Sequence, residues 1–97
     1  MLLEAKKVTG NIIGIFDERD YTFSLYTVYE DNGKTFVKTS FKNGQSMIEE
    51  IVKSNVKNGI KLINKDGGSQ GEYYILNNNI LEFYNKEDKM FTKGVKL

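Results

Sequence analysis

The chain has no cysteine, histidine, proline or tryptophan, and Arg19 is its single arginine. Each absence removes a class of chemistry. Without cysteine there is no disulfide framework, thiolate nucleophile or thiolate metal site, so stability must come from packing and hydrogen bonds. Without histidine the usual general base at neutral pH is missing, and with it the serine and cysteine triads and the common zinc sites. The single arginine leaves charge to lysine, which lacks the planar fork that grips phosphate and guanine bidentately. Fourteen basic and thirteen acidic residues leave a net charge of +1, so nothing steers the whole molecule toward nucleic acid or an anionic membrane. No run approaches the roughly 18 apolar residues of a membrane-spanning helix, and the opening MLLEAKK is too short for the core of a signal peptide. As written the chain reads as cytoplasmic, or as envelope-associated if an export or lipid-anchor signal has been removed.

What the chain does have is turn signals at short intervals: Asp17-Glu18-Arg19-Asp20, Asn32-Gly33, Asn43-Gly44, Asn58-Gly59, Asp66-Gly67-Gly68, Asn77-Asn78-Asn79 and Lys86-Glu87-Asp88. Asn-Gly suits a two-residue hairpin loop because both central residues need positive φ. Between the turns lie runs rich in Val, Ile, Thr, Tyr and Phe. With 97 residues there is room for one core. These features predict a single, mainly β domain spanning 1–97: a small antiparallel meander or partly open barrel of about six to eight strands.

Register can be read at several hairpins. A loop at Asn32-Gly33 places Asp31 opposite Lys34, Tyr29 opposite Phe36 and Val28 opposite Val37, with sensible pairs on both faces. In the run from Tyr21 to Tyr29, Tyr21, Phe23 and Leu25 alternate with Thr22 and Ser24, which assigns the first set to the core. The segment 46–58 has two readings. Ser46 with Glu49 fits a capping box, Ile48, Ile51, Val52 and Val56 follow helical spacing, and Gly59 could end a short helix, which would make the fold α+β. Alternatively, an Asn43-Gly44 hairpin makes it a strand, with Thr39 facing Ile48, Lys38 facing Glu49 and Phe36 facing Ile51. The strand is preferred, because its neighbours are hairpins.

The acidic pairs Asp17-Glu18, Glu30-Asp31, Glu49-Glu50 and Glu87-Asp88 formally allow carboxylate-pair chemistry. Three of them lie at predicted turns, where acids are ordinarily solvated. The loop from Asn64 to Glu72 resembles a calcium loop in composition but offers two carboxylates and lacks EF-hand spacing. Nor do its glycines lead into the Gly-Lys-Ser/Thr ending of a phosphate loop. No catalytic residue, metal site or cofactor is implied.

The aromatic residues remain. In GEYYILNNNILEFYN (71–85), a two-residue loop among the asparagines puts Tyr74, Leu76, Leu81 and Phe83 on one face, and Tyr73, Ile75, Ile80, Glu82 and Tyr84 on the other. The first set reads as core. The second mixes tyrosine with a carboxylate, so Tyr73, Tyr84 and Glu82, together with Tyr26, are the candidate binding residues. The segment GEYYILNNNILEFYNKEDKMFTKGVKL, with SFKNGQSMIEEI, resembles a pattern in small uncharacterised lipoproteins of bacteria and their phages. The lipobox cysteine is missing, and the resemblance implies an accessory or envelope-associated binding role without assigned residues. The expected function is non-enzymatic contact with another protein, since tyrosine brings large area to an interface at low entropic cost. The alternatives are a single-stranded nucleic-acid-binding barrel, a phage-type inhibitor of a host enzyme, and a small-ligand barrel with a shallow cavity.

Overall fold

The computed structural model describes residues 10–67 and 71–97. Its strands are β1 (Asn11–Glu18), β2 (Ser24–Asp31), β3 (Lys34–Ser40), β4 (Ser46–Val56), β5 (Gly59–Asn64), β6 (Tyr73–Asn77), β7 (Ile80–Tyr84) and β8 (Met90–Lys96). Each pairs antiparallel with the next, and β8 returns to β1, closing an up-and-down barrel. Closure leaves no unpaired edge strand among the described residues, and an eight-stranded barrel is just wide enough inside for side chains or one small ligand. Connections alternate between two ends. The lower end carries the tight turns 32–33, 57–58 and 78–79; the upper carries the longer loops after β1, β3, β5 and β7.

Within the segment 46–58, Ser46–Val56 form strand β4, paired with β3 on one side and β5 on the other. Its helical spacing of Ile48, Ile51, Val52 and Val56 loses to hydrogen bonding on both edges. The Asn32-Gly33 turn behaves as expected, with φ of 53° and 78° and the predicted Asp31–Lys34, Tyr29–Phe36 and Val28–Val37 pairs. At the tip of the β6–β7 hairpin Asn77 pairs with Ile80, so the loop has two residues and the two predicted faces hold.

Asn43-Gly44 does not form the same turn. The loop is Phe41–Gln45, closed by Phe41 N–H donating to the Gln45 carbonyl at 2.8 Å and Gly44 N–H to the Phe41 carbonyl at 3.0 Å. Gly44 has φ of 91° while Asn43 stays at negative φ, its side chain accepting from Gln45 N–H at 3.0 Å. The register moves by one residue as a result: Val37 pairs with Glu49, Lys38 with Ile48 and Thr39 with Met47. A slip of one exchanges the faces of a strand. Glu49 therefore points into the barrel, not toward Lys38.

A second correction concerns residues 21–25. The strand begins at Ser24, and Ser24, Tyr26 and Val28 face inward, whereas Leu25 faces outward and Tyr21 and Phe23 are 67% and 54% exposed. The cause is Glu18. Predicted as a solvated turn acid, it is fully buried, and its carboxylate accepts from the N–H groups of Asp20, Tyr21, Thr22 and Phe23 and from the hydroxyls of Thr22 and Thr92. Those amides close a loop around the carboxylate, and Phe23 is held at φ 55°.

The core occupies the lower and middle lumen: Phe16, Val28, Val37, Ile51, Leu62 and Leu81, with Tyr26 and Phe83 above them. Phe16 sits at the β1–β8 seam between two glycines. A Cβ on Gly14 would lie 2.9 Å from the Phe16 ring, and one on Gly94 would lie 3.2 Å from Phe16 Cβ.

Candidate binding site in the barrel lumen

The inward positions change character toward the upper end. Tyr26, Thr39, Met47, Glu49, Asn64, Tyr74 and Phe83 replace the aliphatic plug, and a cavity of about 490 Å³ opens among them. Its mouth is bordered by Tyr21 and Thr22 from the β1–β2 loop, Phe41 from the β3–β4 loop, Glu72 before β6, and Phe91. That volume falls within the range of small-molecule pockets, roughly 300–1,000 Å³.

The aromatic residues form a continuous edge-to-face series from the interior to the rim. Tyr26 meets Phe83 at 4.7 Å and Tyr74 at 6.2 Å between ring centroids, Tyr74 meets Phe83 at 5.1 Å, Phe83 meets Phe91 at 6.3 Å, and Phe91 meets Tyr21 at 5.3 Å. Phe91 reaches the mouth because β8 bulges there: Phe83 pairs with Thr92 and Tyr84 with Met90, leaving Phe91 between them. Re-aiming one side chain in this way is a common consequence of a bulge. Around this series, Tyr21, Phe41, Met47 and Phe91 border the cavity and are exposed, giving its mouth an apolar rim.

Two polar groups distinguish the lumen from a plain apolar pocket. Glu49 accepts from Tyr74 Oη at 2.8 Å and from Asn64 Nδ2 at 3.0 Å. Both partners are neutral. Thr39, 1% exposed, presents an Oγ1 with no hydrogen-bond partner among the described residues. Burial raises the Tyr74 hydroxyl well above the usual tyrosine range, with the adjacent Glu49 charge adding to it. The Tyr26 hydroxyl is raised chiefly by burial and also by Glu18 and Glu49, against the lowering effect of its hydrogen bond to Thr22 Oγ1 at 3.0 Å. Both tyrosines thus stay neutral at the cavity wall.

Glu18 fixes one side of the mouth. Burial alone would raise its pKa, but hydrogen bonds from Thr22, Thr92 and the loop amides outweigh that and hold it at about 2. A buried carboxylate satisfied by six donors acts as a rivet for the loop that carries Tyr21 and Thr22. It has no free lone-pair direction toward the lumen to act as an acid or base.

The four sequence-predicted residues divide between the two surfaces. Tyr26 is inside, a wall of the cavity and part of the core. Tyr73, Tyr84 and Glu82 face outward, as expected. The Tyr73 and Tyr84 rings stack, with centroids 5.2 Å apart and planes within 1° of parallel, and Lys61 Nζ lies 4.2 Å from the Tyr73 centroid. Tyr84 Oη donates to Glu82 Oε1 at 2.9 Å and Tyr73 Oη to Asp88 Oδ1 at 2.7 Å, so both hydroxyls are engaged within the chain. Both rings also border the cavity where it spills over the rim.

Glu49, Thr39, Asn64 and Glu18 were not among the binding residues expected from the sequence. A signal for Glu49 is visible in Met47-x-Glu49-x-Ile51: a carboxylate alternating with apolar residues marks an inward acid once the strand is in register. Among the described residues no group of three or more acidic side chains is placed to hold a metal. The loop 64–72, with its calcium-like composition, includes residues 68–70, which lie outside the described residues.

The class defined by fold and site is a closed eight-stranded β-barrel with a half-filled lumen. Comparison with family models, curated proteins and solved structures finds no match, so the site is read from its own chemistry.

Proposed function

We propose that the protein is a non-enzymatic binding domain that acts by contact with another protein, and that the contact is made at the upper mouth of the barrel. The observation that carries this reading is the exposed apolar rim of Tyr21, Phe41, Met47 and Phe91 around an open, polar-based cavity. Apolar residues clustered around a concavity, with a few polar groups at its base, are the usual composition of a recognition site. The lumen receives what the partner projects into it. An accessory or envelope-associated setting, or a phage-encoded inhibitor, would use the same surface. Nucleic acid is disfavoured there, because the lining carries Glu49 and Glu72 and, among the described residues, neither lysine nor arginine to meet phosphate.

Affinity capture from the native host, followed by mass spectrometry, tests the reading. A Tyr21→Ser, Phe91→Ser variant that keeps its fold should lose the partner retained by the parent chain. Equal capture by both would remove the mouth as the working site. The outer Tyr73–Tyr84 stack beside Lys61 supports a second reading, in which the contact is lateral. Replacing both tyrosines with serine would then abolish capture while the mouth variant retained it.

A further inference from the structure

The lumen combines three features that a purely apolar ligand would not use. The first is the set of π faces and edges supplied by Tyr26, Tyr74, Phe83 and Phe91, with Tyr21 at the opening. The second is an inward carboxylate, Glu49, whose partners among the described residues are the neutral donors Tyr74 Oη and Asn64 Nδ2. A carboxylate has about four lone-pair directions, so two donors leave acceptor capacity and an uncompensated charge. The third is the buried Thr39 Oγ1, which has no partner in the described protein and borders the same cavity.

The charge pattern selects among occupants. An anion would meet Glu49, with Glu72 at the rim, and no lysine or arginine among the described lining residues. A neutral apolar body would strip water from Glu49 without replacing it, which is costly for an ion. A cation does the opposite: it compensates the carboxylate, and aromatic faces attract it in proportion to its desolvation. The remaining space is walled by Leu62, Met47 and Phe41 and suits an alkyl or aryl stem.

We propose that the upper lumen binds an organic ammonium group on an apolar stem, with the Glu49 carboxylate and the Thr39 hydroxyl as acceptors and the Tyr26, Tyr74, Phe83 and Phe91 rings as walls. The inference rests on the mouth being the working site, and it names what enters there. The same chemistry is carried by a free amine and by a lysine side chain of a protein partner.

The test is a set of NMR titrations of the full chain at neutral pH and fixed ionic strength, using n-pentylamine hydrochloride, 1-pentanol, sodium pentanoate, and the capped peptides Gly-Lys-Gly and Gly-norleucine-Gly. n-Pentylammonium should shift the resonances of Thr39, Leu62, Tyr74 and Phe83 saturably, with affinity at least about tenfold above pentanol and pentanoate. Glu49→Gln should remove most of that preference, and Thr39→Val should weaken the amine more than the alcohol. Binding of the lysine peptide without the norleucine peptide assigns the group to a protein partner; binding of pentylamine but not the lysine peptide assigns it to a free amine. Equal affinity for pentanol and pentylamine in the parent chain overturns the proposal whether or not the Glu49 variant folds, and leaves the mouth as a site of another class. Absence of any lumen shift with the amine also overturns it. Conversely, saturable amine binding together with partner capture indifferent to the rim variant would retain the lumen site and reject the mouth as the protein contact.

Discussion

At the scale of single residues, the polar side chains of the lumen carry unequal costs to stability. Thr39 is the plainest case. A buried hydroxyl without a partner costs about 1–3 kcal/mol, whereas a methyl in its place costs nothing in hydrogen bonding. Thr39→Val should therefore raise the thermal midpoint by a few degrees in calorimetry, equivalent to roughly 1 kcal/mol, while weakening amine binding. A lower midpoint would show that the hydroxyl is satisfied in solution and that its role is structural. Tyr74 and Phe83 carry the opposite expectation. Both are inward, and Phe83→Ala should cost roughly 3–5 kcal/mol of unfolding free energy in denaturant titrations. Changing Tyr73 and Tyr84 together to serine should move the midpoint by only a few degrees, because their stack lies on the outer wall. Matching losses from both changes would mean that the outer stack is as much a part of the core as the lumen.

At the scale of elements, the legible part of the fold was the part decided by local backbone chemistry. The Asn32-Gly33 hairpin could be read pair by pair, since Asn and Gly tolerate the positive φ at both loop positions. The β6–β7 hairpin was legible for its faces, because any two-residue loop among its asparagines yields the same alternation. The β3–β4 connection was not, although it contains the same Asn-Gly pair. There Asn43 keeps negative φ and spends its side chain on Gln45 N–H, so the dipeptide alone does not reveal loop length. That single-residue difference put Glu49 outside the sequence-derived site. Likewise, the burial of Glu18 follows from a loop folding back over its carboxylate, a tertiary event that alternation within β2 does not report. The seam between β1 and β8 offers a test at this scale. Phe16 occupies the space that side chains at Gly14 and Gly94 would need. Gly14→Ala should destabilise by about 1–3 kcal/mol through overpacking, measurable as a lower denaturation midpoint at unchanged slope. An unaltered midpoint would mean that the Phe16 ring moves aside freely and that the seam is not tightly packed.

At the scale of the whole molecule, the distribution of titratable groups predicts an unusually flat pH response between two steep limbs. The chain has no histidine, so no side chain with an ordinary pKa near neutrality changes charge between about pH 6 and pH 9. On the acid side, the folded pKa of Glu18 is lowered from 4.5 to about 2. The folded state therefore favours the ionised form, and the associated stability is complete above the unfolded value and is lost as pH falls from about 4.5 toward 2. On the alkaline side, burial raises Tyr26, Tyr29 and Tyr74 above 10. Their neutral forms are favoured in the folded barrel, so stability is complete below pH 10 and falls as pH climbs past it. Chemical denaturation followed by circular dichroism should give a constant unfolding free energy across the neutral range and a loss on either side. Glu18→Gln should lower the plateau by about 2–4 kcal/mol and flatten the acid limb between pH 4.5 and 2, leaving the alkaline limb in place. A steep acid limb retained in that variant would transfer the acid sensitivity to other carboxylates and remove Glu18 as the rivet of the upper mouth.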